Sequence, residues 1–211
     1  MEWGGFLIQL EFMRKDENIR NQIVKKYYDS LAKRSRKIAE LDNWCDNNLD
    51  MKALINTKYN SQVKSFEKIV RANLEVLIQI KKYIEQNNIN MNDDLKNYII
   101  NSMYSNNIDR IDFVNKLGVS VCPYCNRNYI NSNKTTTNCQ FDHFINKSKY
   151  PILAVSFYNL VPVCPSCNHI KSDMDFSYSP YDNGVNTDEM LTFSYAINGM
   201  NYLSDNSQLE V

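Results

Sequence analysis

Apolar side chains recur every three or four residues through the first half of the chain. The strongest run covers Ser61 to Tyr83, where Val63, Phe66, Val70, Leu74, Leu77 and Ile80 form a stripe that continues to Ile84. That spacing predicts one long helix with a single core-facing side. Earlier, Asp16 can cap a helix on which Ile19, Ile23, Tyr27 and Leu31 repeat every four residues. The polar stretch from Gln86 to Asp94 breaks the pattern. Asn92 or Asp93 can then start a shorter helix through Ile100, and Asn107 can cap another, near Ile108 to Leu117, that Gly118 ends. The texture changes after Lys171. Ser177 to Gly184 is turn chemistry, Leu191 to Ile197 alternates like a strand, and Asn198-Gly199 predicts a tight hairpin back into Met200 to Leu203.

Composition narrows the classes. Hydrophobic residues make up 43% of 211, which predicts a folded chain, and five glycines and five prolines favour helices over a glycine-rich phosphate loop. Formal net charge is zero, so the whole chain is no polycationic coat. Lys25, Lys26, Lys33, Arg34, Arg36 and Lys37 make a local basic run, which reads first as a solvated face and second as a phosphate-contacting one. No apolar run is long enough to span a bilayer. Glu11 interrupts the apolar start, which has no basic leader, so a cytosolic, reducing compartment is expected.

Chemistry concentrates between Cys122 and Lys171. Both histidines and four of the six cysteines lie there. Cys122 and Cys125 are two residues apart, as are Cys164 and Cys167. Four thiolates at this spacing suit a tetrahedral zinc ion in a reducing compartment better than disulfides or a redox pair. The interval from 126 to 163 is longer than in a plain zinc ribbon, so the zinc would staple the ends of a sizeable insert. Cys45 and Cys139 have no spaced partner and read as ordinary thiols.

That insert holds Asp142-His143. A hairpin over Tyr129 to Phe144, turning at Asn131 to Thr135, is expected to end its second strand there, with a helix over Pro165 to Asp173. This ribbon on a helix would set His143 opposite Asn168. Phosphodiester hydrolysis needs a base for water and a cation for the charge that develops. His143 is a candidate base, because imidazole is neutral near physiological pH. Asp142 and the Asn168 carboxamide are candidate oxygen ligands. Neighbours on a strand point to opposite sides, which leaves Asp142 and His143 free for different tasks. Lys171 shares the Asn168 helix face and can reach a phosphate.

From about residue 119 to 175, the order Cys-x-x-Cys, Asp-His, Asn-Leu, Cys-x-x-Cys-Asn-x-x-Lys resembles the HNH nucleases of the His-Me finger (ββα-metal) superfamily. The resemblance implies His143 as general base, one magnesium or manganese ion on Asp142 and Asn168, and structural zinc on the four cysteines. It also implies that Asn159 holds the loop and orients the imidazole through backbone contacts. The family's third signature residue is often His, whereas this chain has Asn168, as some members do. His169 lies one place on, about 100° around the helix, and is the weaker ligand candidate.

The expected architecture is therefore α+β. A helical scaffold or partner-binding region covers 1–117, a zinc-stapled nuclease core 118–176, and a turn and β-hairpin extension 177–211. Residues 116–175 carry six basic and three acidic side chains. Lys147 and Lys149 are candidate backbone-phosphate contacts, with Lys171 and Arg127 beside them. Tyr129 and Tyr150 can stack on bases or pack. The expected substrate is DNA, with RNA left open. The alternative is a noncatalytic zinc-bound module that binds nucleic acid or protein. The run from Ser148 to Ala154, followed by Asn159 to Cys164, resembles HNH proteins that accompany ATPases in bacterial antiphage defence, such as Septu-type subunits. That resemblance implies an ATPase partner docked on the helical region.

Overall fold

The computed structural model describes residues 8–55, 62–172, 176 and 178–182, together with the backbone of 196–197 and 209–210. A 3₁₀ turn at Glu11–Arg14 leads into α1 (Glu17–Lys33), whose first turn is capped by the Asp16 carboxylate at the Asn18 amide, 2.8 Å away. Its buried face is Val24, Tyr27, Tyr28 and Leu31, while Ile19 is 49% exposed. The apolar stripe is thus rotated toward Val24 and Tyr28 relative to the four-residue repeat that began at Ile19. α2 (Ile38–Asn48) and the short α3 (Met51–Leu54) follow.

The long helix expected over Ser61 to Tyr83 is two helices, α4 (Ser65–Arg71) and α5 (Leu74–Gln86). Asn73 divides them. Its side chain takes the Val76 amide at 3.0 Å, which starts a new helix where the apolar stripe alone would continue the old one. Phe66, Ile69, Val70, Leu77, Ile80 and Ile84 are all buried, so the stripe marks the core although the chain bends within it.

Asn92 caps α6 (Asp93–Asn97), which widens directly into a π-helix over Tyr98–Asn107. Within it the Ser105 hydroxyl and Asn106 amide each donate to a carbonyl five residues earlier. α7 (Arg110–Leu117) is capped by Asp109 rather than Asn107, because the Asp109 carboxylate takes the Asp112 amide; Gly118 ends it at φ 71°, the left-handed conformation suited to glycine.

The β component differs from the local hairpin expected over Tyr129 to Phe144. β1 (Gln140–His143) pairs antiparallel with β2 (Leu160–Val163), aligning Asp142 with Val161 and His143 with Leu160. The expected turn survives as a small loop closed by the Ser132–Thr137 bridge. α8 (Pro165–Lys171) follows β2 and packs on β1. Further on, β3 (Ala196–Ile197) pairs with β4 (Leu209–Glu210). The expected return of that strand through Asn198-Gly199 into Met200 to Leu203 lies outside the described residues. The α+β class holds, with helices dominant and two small sheets among the described residues. No helix among the described residues is long and apolar enough to cross a membrane.

One buried cluster runs from Leu10 to Tyr181 and joins the helices to the β1–β2 segment. Phe157, fully buried, meets Phe12, Tyr27, Phe113, Tyr158 and Tyr181 with ring centroids 4.8–6.3 Å away. The Tyr27 hydroxyl donates to the Val155 carbonyl and the Ser156 hydroxyl to Ile69, which ties the loop before β2 to α1 and α4. Such mutual burial predicts cooperative unfolding. Phe157→Ala is expected to lower stability by about 3–5 kcal/mol in urea titrations followed by circular dichroism. A loss below about 1 kcal/mol would place the joint between helices and sheet elsewhere.

Candidate active site and metal centre

The Cys122–Cys125 turn lies at the tip of a loop closed by the Val121–Tyr129 bridge, and Asn126 adopts φ 48° within it. Cys164 is the N-cap of α8 and Cys167 lies on its first turn. The four ligand sulfurs lie within 4.8 Å of one another. A tetrahedral zinc with bonds of about 2.3 Å spaces its sulfurs roughly 3.8 Å apart, so the thiols are gathered close to the size of such a site. Backbone and side-chain N–H groups reinforce them. The Cys164 amide donates to Cys122 Sγ at 3.3 Å and Asn128 Nδ2 to Cys164 Sγ at 3.1 Å. Burial opposes ionisation of Cys125, yet the amides of Asn128 and Arg127 bring its pKa down to about 7. Burial pushes Cys122 and Cys167 up. Four thiols this close call for a cation to hold them all ionised, and zinc fits the donor set.

The strand alternation of β1 divides the remaining chemistry between two faces. Gln140 and Asp142 face α8. Asn168 Nδ2 donates to Gln140 Oε1 at 2.7 Å, and Lys171 Nζ donates to Asp142 Oδ1 at 3.1 Å and to the His143 carbonyl at 3.2 Å. Phe141 and His143 face the helices: Phe141 meets Phe113, and the His143 ring lies 4.5 Å from Tyr104 of the π-helix. Asn168 thus sits across from Gln140, not from His143 as expected. The difference follows from β1 pairing with β2 rather than with the preceding loop.

His143 is 8% exposed, and its Nε2 lies 2.9 Å from the Ala154 carbonyl. A carbonyl only accepts, so Nε2 carries the proton and Nδ1 keeps the basic lone pair. Burial, then the charges of Lys147, Lys171 and Arg110, lower the His143 pKa to about 3, and the Ala154 bond offsets only part of this. Asn159, fully buried, takes the Ile145 amide at 2.6 Å and donates to the Ile145 and Leu153 carbonyls at 3.1 and 2.9 Å. It therefore fixes the chain on both sides of the His143–Ala154 contact. Asp142 is 4% exposed, with Tyr124 Oη donating to its Oδ2 at 2.6 Å.

These groups line a cleft of about 390 Å³ that includes Gln140, Asp142, His143, Lys147, Asn168 and Lys171, together with Tyr104 and Arg110 from the helical region. Lys149 lies in a neighbouring groove with Tyr150. Arg127 is exposed on the cysteine turn, and His169 is exposed and outside the cleft lining. Tyr150 is packed, its hydroxyl on Glu85, whereas Tyr129 is 71% exposed. Tyr104, Arg110, Tyr124 and Gln140 were not singled out from the sequence. An Arg three residues after the π-helix, at the start of α7, carries no motif; only the strand alternation could have marked Gln140 as sharing the Asp142 side.

The cysteine cluster thus lies beside an Asp-His strand and a helix. The family model described as HNH endonuclease matches residues 122–174. This segment is an HNH domain. The match supports a nuclease-type function and a nucleic-acid substrate in general terms. Comparison with curated proteins and with solved structures returns no match.

Two outcomes test this geometry. Metal analysis of the purified protein is expected to give about one zinc per chain, and Cys164→Ser or chelation to release it with loss of the β1–β2–α8 fold; a protein that stays folded without zinc would contradict the stapling role. The second concerns His143, which is faced by Lys147, Lys171, Arg110, Tyr104 and the Asp142 backbone neighbour. Its folded pKa, about 3, lies below the ordinary value near 6.5, so the unfolded chain takes the proton first. Neutral His143 contributes stability that is complete above pH 6.5 and is lost as pH falls toward 3. In urea titrations, His143→Gln is expected to lose less stability than the parent between pH 7 and pH 4; parallel losses would refute a buried neutral imidazole.

Proposed function

We propose that the HNH domain is a metal-dependent endonuclease, with DNA as its substrate and His143 as general base. The single observation that carries the reading is the His143 geometry: a neutral ring in the cleft wall, with Nε2 committed to Ala154 and Nδ1 free to take a proton. In the proposed step, Nδ1 removes a proton from water while the water oxygen attacks phosphorus and the P–O bond to the departing nucleotide breaks. The departing oxygen is then protonated by solvent. Asn159 acts as a positioning residue, since it pins Ile145 and Leu153 and through them the carbonyl that orients the imidazole.

Asp142 and Asn168 are the residues that would hold a magnesium or manganese ion. Both offer hard oxygen donors to the same cleft, and Asn168 turns its amide nitrogen to Gln140, which leaves its carboxamide oxygen for a cation. When bound, such an ion supplies charge neutralisation to the phosphorane and the departing oxygen. Each Asp142 oxygen accepts one hydrogen bond, from Tyr124 or Lys171, and keeps a further lone pair. Lys171 is the residue that neutralises Asp142 within the protein, so its reach to substrate phosphate competes with that pair.

The Asp142–Lys171 pair also favours a second reading, a noncatalytic zinc-bound module in which the pair is purely structural. An antiphage role and an ATPase partner rest on the resemblance of residues 148–164 alone. Incubation of the purified chain with plasmid DNA and magnesium or manganese separates the readings. Nicking or cutting is expected, and His143→Ala is expected to lower the rate by about 10²-fold or more. Full cleavage by that variant would exclude the proposed base, and absence of cleavage with either metal would favour the second reading.

A further inference from the structure

Tyr104, in the π-helix, touches three groups of the cleft at once. Lys147 Nζ lies 4.4 Å from its ring centroid, Arg110 Cζ 5.2 Å, and the His143 ring 4.5 Å. Its hydroxyl donates to the Phe141 carbonyl at 3.2 Å, which anchors the ring against β1. Arg110 also lies 5.2 Å from the Phe141 ring. Aromatic faces hold cations in place while leaving their N–H groups available. Among the described residues, neither Arg110 nor Lys147 has a carboxylate within ion-pair distance. Asp142, the carboxylate lining the same cleft, is already paired with Lys171. The two cations are close enough for Arg110 to weaken the Lys147 proton affinity, after the larger effect of burial. Asp142 offsets part of that effect from a distance, yet two like charges gathered on one ring with no carboxylate in ion-pair contact leave room for an anion.

We propose that Arg110 and Lys147, seated together on Tyr104, form a subsite for a backbone phosphate of the nucleic acid beside His143. The inference rests on the nuclease reading and extends it. Arg110 lies outside residues 122–174, so the helical region supplies a substrate-positioning residue to the cleft. Its planar guanidinium can give two N–H donors to the nonbridging oxygens, and Lys147 adds a point charge. Contacts of this kind position the backbone without reading bases.

The test is fluorescence anisotropy of a labelled short DNA duplex across a salt series, without added divalent metal, for the parent chain and for Arg110→Gln, Lys147→Gln, Arg110→Lys and Lys82→Gln. Lys82 is exposed on α5 and serves as a charge-matched control. Variants are compared at matching zinc content and melting temperature. Loss of one phosphate contact lowers the slope of log K against log salt by about one. Arg110→Gln and Lys147→Gln are each expected to show that drop, Arg110→Lys to retain the slope, and Lys82→Gln to leave it unchanged. An unchanged slope in either Arg110→Gln or Lys147→Gln overturns the subsite, as does an equal drop in Lys82→Gln. Should the parent still cleave plasmid DNA in a His143-dependent way, that failure belongs to the subsite alone. A parent chain that neither binds nor cleaves DNA overturns both readings.

Discussion

Four sulfurs drawn to one point impose the constraint from which the rest of the site follows. Cys122 and Cys125 come from a loop turn, and Cys164 and Cys167 from the start of a helix, so their convergence closes a loop of residues 126–163. Cys164 directly follows β2, and holding it against the first pair fixes where β2 lies. β1 can then pair with it in one register only if Phe141 turns to the helices and Asp142 to α8. A slip of one residue would exchange His143 with Asp142 and bury a carboxylate against Tyr104 and Phe113. The thiol cluster thus controls which face of the strand receives the acid and which the imidazole.

Much of this was legible from residue spacing. The paired cysteines, the Asp-His dipeptide and the Asn-x-x-Lys step on α8 are local patterns, and the structure gathers them in one region. The helix caps at Asp16, Asn92 and Gly118 are equally local, because a side chain two or three residues away satisfies the free amide, or glycine accepts a positive φ. What failed was nonlocal. Leu160 to Val163 contains Pro162, which contributes no amide to a ladder, and a strand with proline does not advertise itself as a partner. The nearer segment around Tyr129 looked the better match for β1. Loop closure by the cysteines reverses that preference, since it brings β2 to β1 at small additional entropic cost.

The helical half was legible as a core and illegible as part of a site. Its stripe of apolar residues predicts burial whether the chain continues as one helix or breaks at Asn73. Nothing in the local pattern distinguishes Tyr104 from the other tyrosines, or Arg110 from the many solvated basic residues. Their position depends on the widening of the helix over Tyr98–Asn107, which brings Tyr104 onto β1 across 37 residues of sequence. π-helical segments are uncommon and occur often at functional sites, and this one supplies a wall of the cleft.

The electrostatics of that cleft bear on the proposed base. Arg110, Lys147 and Lys171 surround a histidine that burial already disfavours in its charged form, so the resting imidazole stays neutral with its lone pair available. A very low proton affinity, however, makes a weak base. A phosphate seated against these cations would offset their field and raise the proton affinity of His143 at the moment a proton must be taken from water. On the proposed reading, the cations oppose protonation of His143 in the free cleft, and a bound phosphate would relieve that opposition. Such coupling would need no movement of the imidazole, which Ala154 holds by its carbonyl and the Asn159 network braces on either side.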